Sequence, residues 1–199
     1  NIAQSDSKLD MQSLAQIIKK LVKTSRISTK NVVASLSGSS IFTTVVKLPP
    51  MDKNEIAKAV KYQAEQNIPL KIDDAQYDWQ IVRENPATKE VAVMIVAAPK
   101  VKTDRTIELF EMAEMDVIYL ETNAIAVARS LVGPSEPLVM VVDLGATTTE
   151  LAIVENGVVS HVRTVNSAGY ALTRVISQNL GLDATQSEQF KRKFGLSQD

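Results

Sequence analysis

Cysteine is absent from the 199-residue sequence, which excludes disulfides and thiolate-bound zinc. His161 is the sole histidine, so no metal centre can be built from several imidazoles. There is no excess of one charge: 22 Lys and Arg stand against 23 Asp and Glu, a formal charge of -1. Nothing in that balance draws the chain to nucleic acid or to an anionic membrane. No apolar run approaches the roughly 18 residues needed to cross a bilayer, and no signal peptide, short repeat or low-complexity tract is visible. The sequence opens at Asn1 rather than Met, so the N-terminus is expected to have been processed or cut from a longer chain.

What is present is ordinary globular material, 45% hydrophobic and 23% charged, enough for a real core in one large domain or two small ones. Asp10 is expected to cap a helix whose inner face carries Met11, Leu14, Ile18, Leu21 and Val22. Lys19, Lys20, Lys23, Arg26 and Lys30 read as its solvated side, with a phosphate-binding patch as the second reading. Strands are expected over 31–36 and 41–48. Asp52 and Glu55 have the spacing of a capping box that opens a helix ending before Pro69. Strands at 77–84 and 91–97 flank an Asn85-Pro86-Ala87-Thr88 connection. Thr103 is expected to cap the next helix, a strand follows at 117–120, and Asn123 caps a short Ala-rich helix. Residues 133–137 form a linker. Beyond it come strands at 138–144, 150–155 and 158–165, with Asn156-Gly157 as a hairpin turn. Two helices close the chain. Gly169 opens the first and Gly181 ends it, and Asp183 starts the second. Interleaved strands and helices argue for an α/β fold of sheets covered by helices.

The stretch that carries chemistry is Val141-Val142-Asp143-Leu144-Gly145-Ala146-Thr147-Thr148-Thr149-Glu150. An apolar strand delivers one carboxylate to its end, and Gly145 lets the backbone turn. The turn then offers successive N–H groups and hydroxyls, a concavity suited to phosphate oxygens. Asp143 suits a hydrated Mg²⁺ or an attacking water. Gly145, Ala146, Thr147 and Thr148 are the candidate phosphate contacts. Strand alternation argues against Thr149 and Glu150. Gly169 offers a helix N-terminus to the nucleotide, with a close backbone crossing as its other reading. An ordinary β-hairpin with a polar turn is the plain alternative for the whole stretch. For Trp79 and for Ile68-Pro69-Leu70, core packing is preferred to a partner site.

Six segments resemble a known family. They are Ser37-Gly38-Ser39-Ser40-Ile41-Phe42-Thr43 running to Lys47-Leu48-Pro49-Pro50-Met51, Ala64-Glu65-Gln66-Asn67-Ile68-Pro69-Leu70, Tyr77-Asp78-Trp79-Gln80, Val96-Ala97-Ala98-Pro99-Lys100, the turn at 143–151, and Lys191-Arg192-Lys193-Phe194-Gly195-Leu196. Together they resemble the PilM family of type IV pilus assembly and, more distantly, the FtsA proteins of cell division. The resemblance implies an actin-like (ribonuclease H-like) ATPase fold with an inserted strand-helix-strand-strand (SHS2-type) subdomain. Residues 1–40 and 119–137 would belong to a first ATPase subdomain, 41–118 to the inserted module, and 138–199 to the start of a second half. The resemblance further implies ATP and Mg²⁺ as ligands between the halves, with Asp143 in the catalytic and metal role. It implies docking of the cytoplasmic N-terminal peptide of PilN alongside other inner-membrane assembly proteins, a cytoplasmic location and self-association.

The family's first phosphate hairpin is expected before Asn1, and its adenine-binding segment after Asp199. The chain is therefore expected to be a fragment with weak or no ATP turnover by itself. A nucleotide-independent interaction module is the alternative reading. A sugar kinase of the same superfamily is disfavoured, because the inserted module fits the pilus family better. Glu114 stands where relatives carry a helix-ending glycine, at a cost of about 1 kcal/mol if it is left-handed.

Overall fold

A computed structural model of the chain describes residues 7–195. The family match ending at Leu196 therefore lies partly outside the described residues. The chain divides into two compact units, one running to Ala126 and one from Val127. The order of helices and strands is the one read from the sequence.

In the first unit, α1 (Lys8–Thr24) leads to β1 (Asn31–Leu36), and β1 pairs in parallel with β5 (Asp116–Thr122). A parallel pair needs a long crossover. Here the crossover builds a sheet of its own, with β2 (Phe42–Leu48), β4 (Val91–Pro99) and β3 (Ala75–Glu84) side by side in that order. β4 is central and antiparallel to both neighbours, and it is largely buried on both faces. That explains its nearly unbroken apolar run, Val91-Ala92-Val93-Met94-Ile95-Val96-Ala97-Ala98.

Helix α2 (Lys53–Asn67) covers one face of this sheet. Its capping box is formed: the Asp52 carboxylate accepts from the N–H groups of Asn54 and Glu55, and Glu55 accepts from the Asp52 N–H. Ile56, Val60 and Ala64 pack against Leu48, Val93, Ile95 and Ala97. Ile68, Leu70 and Trp79 join the same cluster, as packing rather than as a surface. The helix stops at Asn67 because Pro69 forces Ile68 into extended geometry, ψ 125°.

Helix α3 (Lys100–Met112) packs against α1 through Ala15, Ile18, Val22, Leu109 and Phe110. Three expected caps are corrected. Helix α1 begins before Asp10, with Ser7 at the cap, and Asp10 sits in the first turn, where a negative charge suits the helix dipole. Thr103 lies inside α3, buried, with its hydroxyl donating to the Lys100 carbonyl at 2.8 Å. Pro99, whose ring fixes φ at -58°, holds the cap position instead. The third is Asn123, which is the first residue inside its helix (Asn123–Leu131), while the Thr122 hydroxyl before it accepts from the Ile125 N–H at 3.2 Å. Leu21, expected on the inner face of α1, is 60% exposed.

Both helices end in a left-handed residue that is not glycine, Arg26 (φ 55°) after α1 and Glu114 (φ 61°) after α3. Each is followed by the six-to-one backbone bond of a Schellman turn, Ile27 N–H to Val22 and Met115 N–H to Phe110. Glu114 also reaches Lys19 at 2.8 Å, and that hydrogen-bonded ammonium holds its carboxyl below the usual range.

The second unit holds the remainder of α4 (Asn123–Leu131) and an antiparallel sheet of β6 (Leu138–Leu144), β7 (Thr149–Glu155) and β8 (Val158–Val165) in sequence order. Asn156 (φ 51°) and Gly157 (φ 78°) make the tight turn between the last two strands. Helices α5 (Gly169–Leu180) and α6 (Ala184–Phe194) follow, with Gly181 left-handed at the end of α5 and a formed capping box at Asp183 and Gln186.

Ile95→Ala, at a position 1% exposed, is expected to destabilise the first unit by about 2–5 kcal/mol. Val101→Ala, at 76% exposure, is expected to stay within about 0.5 kcal/mol. Urea unfolding of the two variants checks both values.

Candidate functional site

Register places Leu144 opposite Thr149, so residues 145–148 make the bend between β6 and β7. The Gly145 N–H donates to the Thr148 carbonyl at 3.0 Å, which closes the bend tightly. A Cβ at residue 145 would lie 2.9 Å from that same carbonyl oxygen, so only glycine fits.

Two other carbonyls of the bend dock on the first turn of α5. Gly145 accepts from the Gly169 N–H at 3.1 Å, and Ala146 from the Tyr170 N–H at 2.8 Å. These donors are ones a helix N-terminus must place somewhere, and Ala168 brings no side-chain cap. The bend is thus the cap of α5. The Thr149 hydroxyl adds a third tie, donating to the Ser167 carbonyl at 2.7 Å.

With its carbonyls committed to α5, the bend has backbone donors to offer elsewhere. Among the described residues no hydrogen bond engages the N–H of Ala146, Thr147 or Thr148. Gly145, Ala146 and Thr147 are exposed, and Thr148 is half-buried. Successive outward N–H groups form a concavity that attracts an anion. Asp143 is half-buried near the end of β6, directly across from the buried Glu150. Among the described residues no group of three or more Asp, Glu or His gathers as a cage for a metal. A half-buried carboxylate beside such a bend is nonetheless a donor of the kind a largely hydrated Mg²⁺ uses. These residues fit a nucleotide's phosphates and their metal.

Gly169 stands differently from the other candidates. Its N–H is taken by Gly145, and a Cβ there would lie 3.2 Å from the Gly145 oxygen. Its place is a close backbone crossing that seats the bend.

Sequence reading assigned no role to the cation behind this crossing. The Lys191 ammonium donates to the Gly169 carbonyl at 3.1 Å and to the Thr173 hydroxyl at 3.0 Å, and it pairs with Glu188 at 2.7 Å. Glu188 also meets the Thr173 hydroxyl at 2.7 Å and Arg192 at 2.9 Å. The Lys191 hydrogen bond first, then Thr173 and Arg192, hold the Glu188 carboxyl down at about 2. The signal was the i,i+3 spacing of Glu188 and Lys191 on α6.

A second concavity lies wholly inside the first unit. It is a groove of about 620 Å³ between α3 and the strands β3 and β5. Leu36, Ile41, Val96, Ala98 and Ile107 supply apolar lining, while Asp78, Asp104 and Glu121 supply carboxylates. No sequence signal marked it, because it joins side chains far apart along the chain.

A family model described as type IV pilus assembly protein PilM matches residues 1–199. The chain belongs to the PilM family. A solved structure of a PilM–PilN type IV pilus biogenesis complex superposes with a TM-score of 0.80 at 25% identity, covering 94% of this chain and 57% of that one. The cytoplasmic domain of EpsL, an inner-membrane component of the Vibrio cholerae type II secretion system, matches with a TM-score of 0.54 at 14% identity, a likeness of fold alone. That match covers 87% of this chain and 61% of the EpsL chain. The fold is the α/β actin-like ATPase fold, and this chain spans somewhat over half the length of the family structure it matches.

Gly145→Ala is expected to lose about 1–3 kcal/mol, because the atom it meets is backbone. Faster amide exchange at Gly169 and Tyr170 would report the loosened bend. Gly133→Ala, whose new Cβ meets nothing closer than 3.9 Å, serves as the neutral control. The Glu188 pKa lies below its ordinary 4.5, so its stabilising contribution is full above that pH and fades as pH falls towards about 2. The melting temperature of Glu188→Gln should therefore lie below that of the wild type at neutral pH and converge with it through that acid window.

Proposed function

We propose that this protein serves type IV pilus assembly as a nucleotide-sensitive docking platform on the cytoplasmic side of the inner membrane. It would bind Mg·ATP at the bend and receive the cytoplasmic tail of PilN in the groove of the first unit. The observation that carries the nucleotide reading is the bend itself, held by α5, with three successive N–H groups that no hydrogen bond among the described residues engages.

Ala146, Thr147 and Thr148 bind phosphate oxygens through backbone N–H groups, the two threonines adding hydroxyls. Gly145 and Gly169 let the bend and the helix approach closely enough to hold that shape. Asp143 holds the hydrated magnesium ion, and Lys191 lends fixed positive charge behind the α5 terminus. Bound Mg·ATP supplies an anionic tail whose charge and length change on hydrolysis. Turnover by this chain alone is expected to be weak or nil.

A second reading, a nucleotide-independent interaction module, is favoured by one observation: the groove is complete within the first unit, whereas the bend belongs to the second. Capture of a PilN tail peptide with and without Mg·ATP separates the readings, since equal capture supports the module.

Asp143→Ala in the intact protein is expected to weaken Mg·ATP binding about tenfold, or about 1.4 kcal/mol, by calorimetry. Equally tight binding by variant and wild type would remove Asp143 from the site.

A further inference from the structure

The near-neutral total charge hides a local excess. Residues 11–30 hold five cations, Lys19, Lys20, Lys23, Arg26 and Lys30, and no carboxylate. Neighbouring elements engage the edge of this set. Glu114 pairs with Lys19 at 2.8 Å and also feels the charge of Lys30. Asp116 meets Lys30 through the backbone, its N–H donating to the Lys30 carbonyl at 2.9 Å. Among the described residues Lys20, Lys23 and Arg26 pair with no carboxylate, and all three are exposed.

Helix α1 also carries more apolar surface than its packing uses. Ala15, Ile18 and Val22 pack on α3. Leu9, Ile17 and Leu21 stand apart from that stripe, each more than half exposed, and Ile27 is exposed just past the helix end. Residues three or four apart are neighbours on a helix surface, so Lys20 lies beside Ile17 and Lys23 beside Lys20. The outer side of α1 and its exit thus mix aliphatic side chains with ammonium groups on long stems.

That mixture suits the boundary of an anionic bilayer. Aliphatic side chains sink towards the acyl region, and lysine stems bury their methylenes while the ammonium stays among lipid phosphates. Roughly four to eight basic side chains in a cluster are the usual footprint of such a contact. Two other occupants fit less well. Single-stranded nucleic acid is held by stacking as well as by charge, and no Phe, Trp or Tyr occurs before Phe42. A discrete carboxylate or phosphate favours the guanidinium fork, whereas four of the five cations are lysines, point charges suited to a diffuse anionic surface.

We propose that the outer side of α1 and its exit seat the protein on anionic phospholipid. Lys20, Lys23 and Arg26 meet the phosphates, and Ile17 and Leu21 lie against the acyl boundary. Neither nucleotide nor a partner tail is needed for this contact. From the function proposed above it takes only the place beside the inner membrane.

Sedimentation of the intact protein with phosphatidylcholine vesicles, with and without phosphatidylglycerol, tests it in the absence of nucleotide and PilN. Binding is expected on the phosphatidylglycerol vesicles, about tenfold weaker on phosphatidylcholine alone, and weaker as salt rises. Lys20→Glu/Lys23→Glu is expected to lose at least about tenfold in affinity, and Ile17→Ser/Leu21→Ser about fivefold. Lys58→Glu/Lys61→Glu, the same charge change on the exposed side of α2, is expected to bind as the wild type does. No binding to the phosphatidylglycerol vesicles, or an equal loss from the α1 and α2 charge variants, overturns the proposal. Unchanged binding by Ile17→Ser/Leu21→Ser overturns the apolar contact. Displacement from the vesicles by an RNA oligonucleotide at matched charge overturns lipid as the occupant. Each overturning result leaves the nucleotide and PilN readings standing, because neither ligand is in the assay.

Discussion

Two backbone hydrogen bonds organise the candidate phosphate site: Gly145 C=O to Gly169 N–H and Ala146 C=O to Tyr170 N–H. They settle two obligations in one contact. A helix must satisfy its first N–H groups, and a tight bend must satisfy its carbonyls. Once each serves the other, the remaining donors of the bend are the ones left for an anion. The same contact explains why glycine stands at both 145 and 169, since a Cβ at either position would press on backbone oxygen. The Lys191–Glu188–Thr173 cluster secures the arrangement from behind by tying α6 to the first turn of α5.

Much of this was legible because it is local. Capping at Asp52 and Asp183, the helix stop before Pro69, the Asn156-Gly157 turn and the bend at residue 145 all rest on residues within a few positions of one another. The family's ordered motifs supplied the fold class. What escaped reading was long-range. Thr103 looked like a cap because hydroxyls favour caps, but Pro99 already fixed the start of α3 and left Thr103 to bond back to the Lys100 carbonyl. Leu21 looked like core because its spacing fits the inner stripe, yet it falls on the shoulder of α1 and stays exposed. Lys191 was visible as a basic residue near a helix end, where a dipole contact is the default expectation. Only folding shows that it reaches a carbonyl 22 positions earlier.

The groove of the first unit follows from the topology. A parallel pairing of β1 with β5 obliges the chain to leave and return, and the excursion folds into a sheet with its own helix. Two sheets in one unit bring two strand edges, β3 and β5, to the walls of one cavity. The groove is therefore a by-product of how that excursion is accommodated, and the bend in the other unit is built by separate contacts.

The exposed edge of β5 also has a bearing on solubility in a crowded cell. Unsatisfied strand borders invite indiscriminate β-stacking between chains, and proteins commonly deter this with charge. Asp78 and Asp104 stand where any intruding acidic or uncharged segment would have to desolvate them without compensation. Removing them would thus take away the charge that deters such stacking at this border.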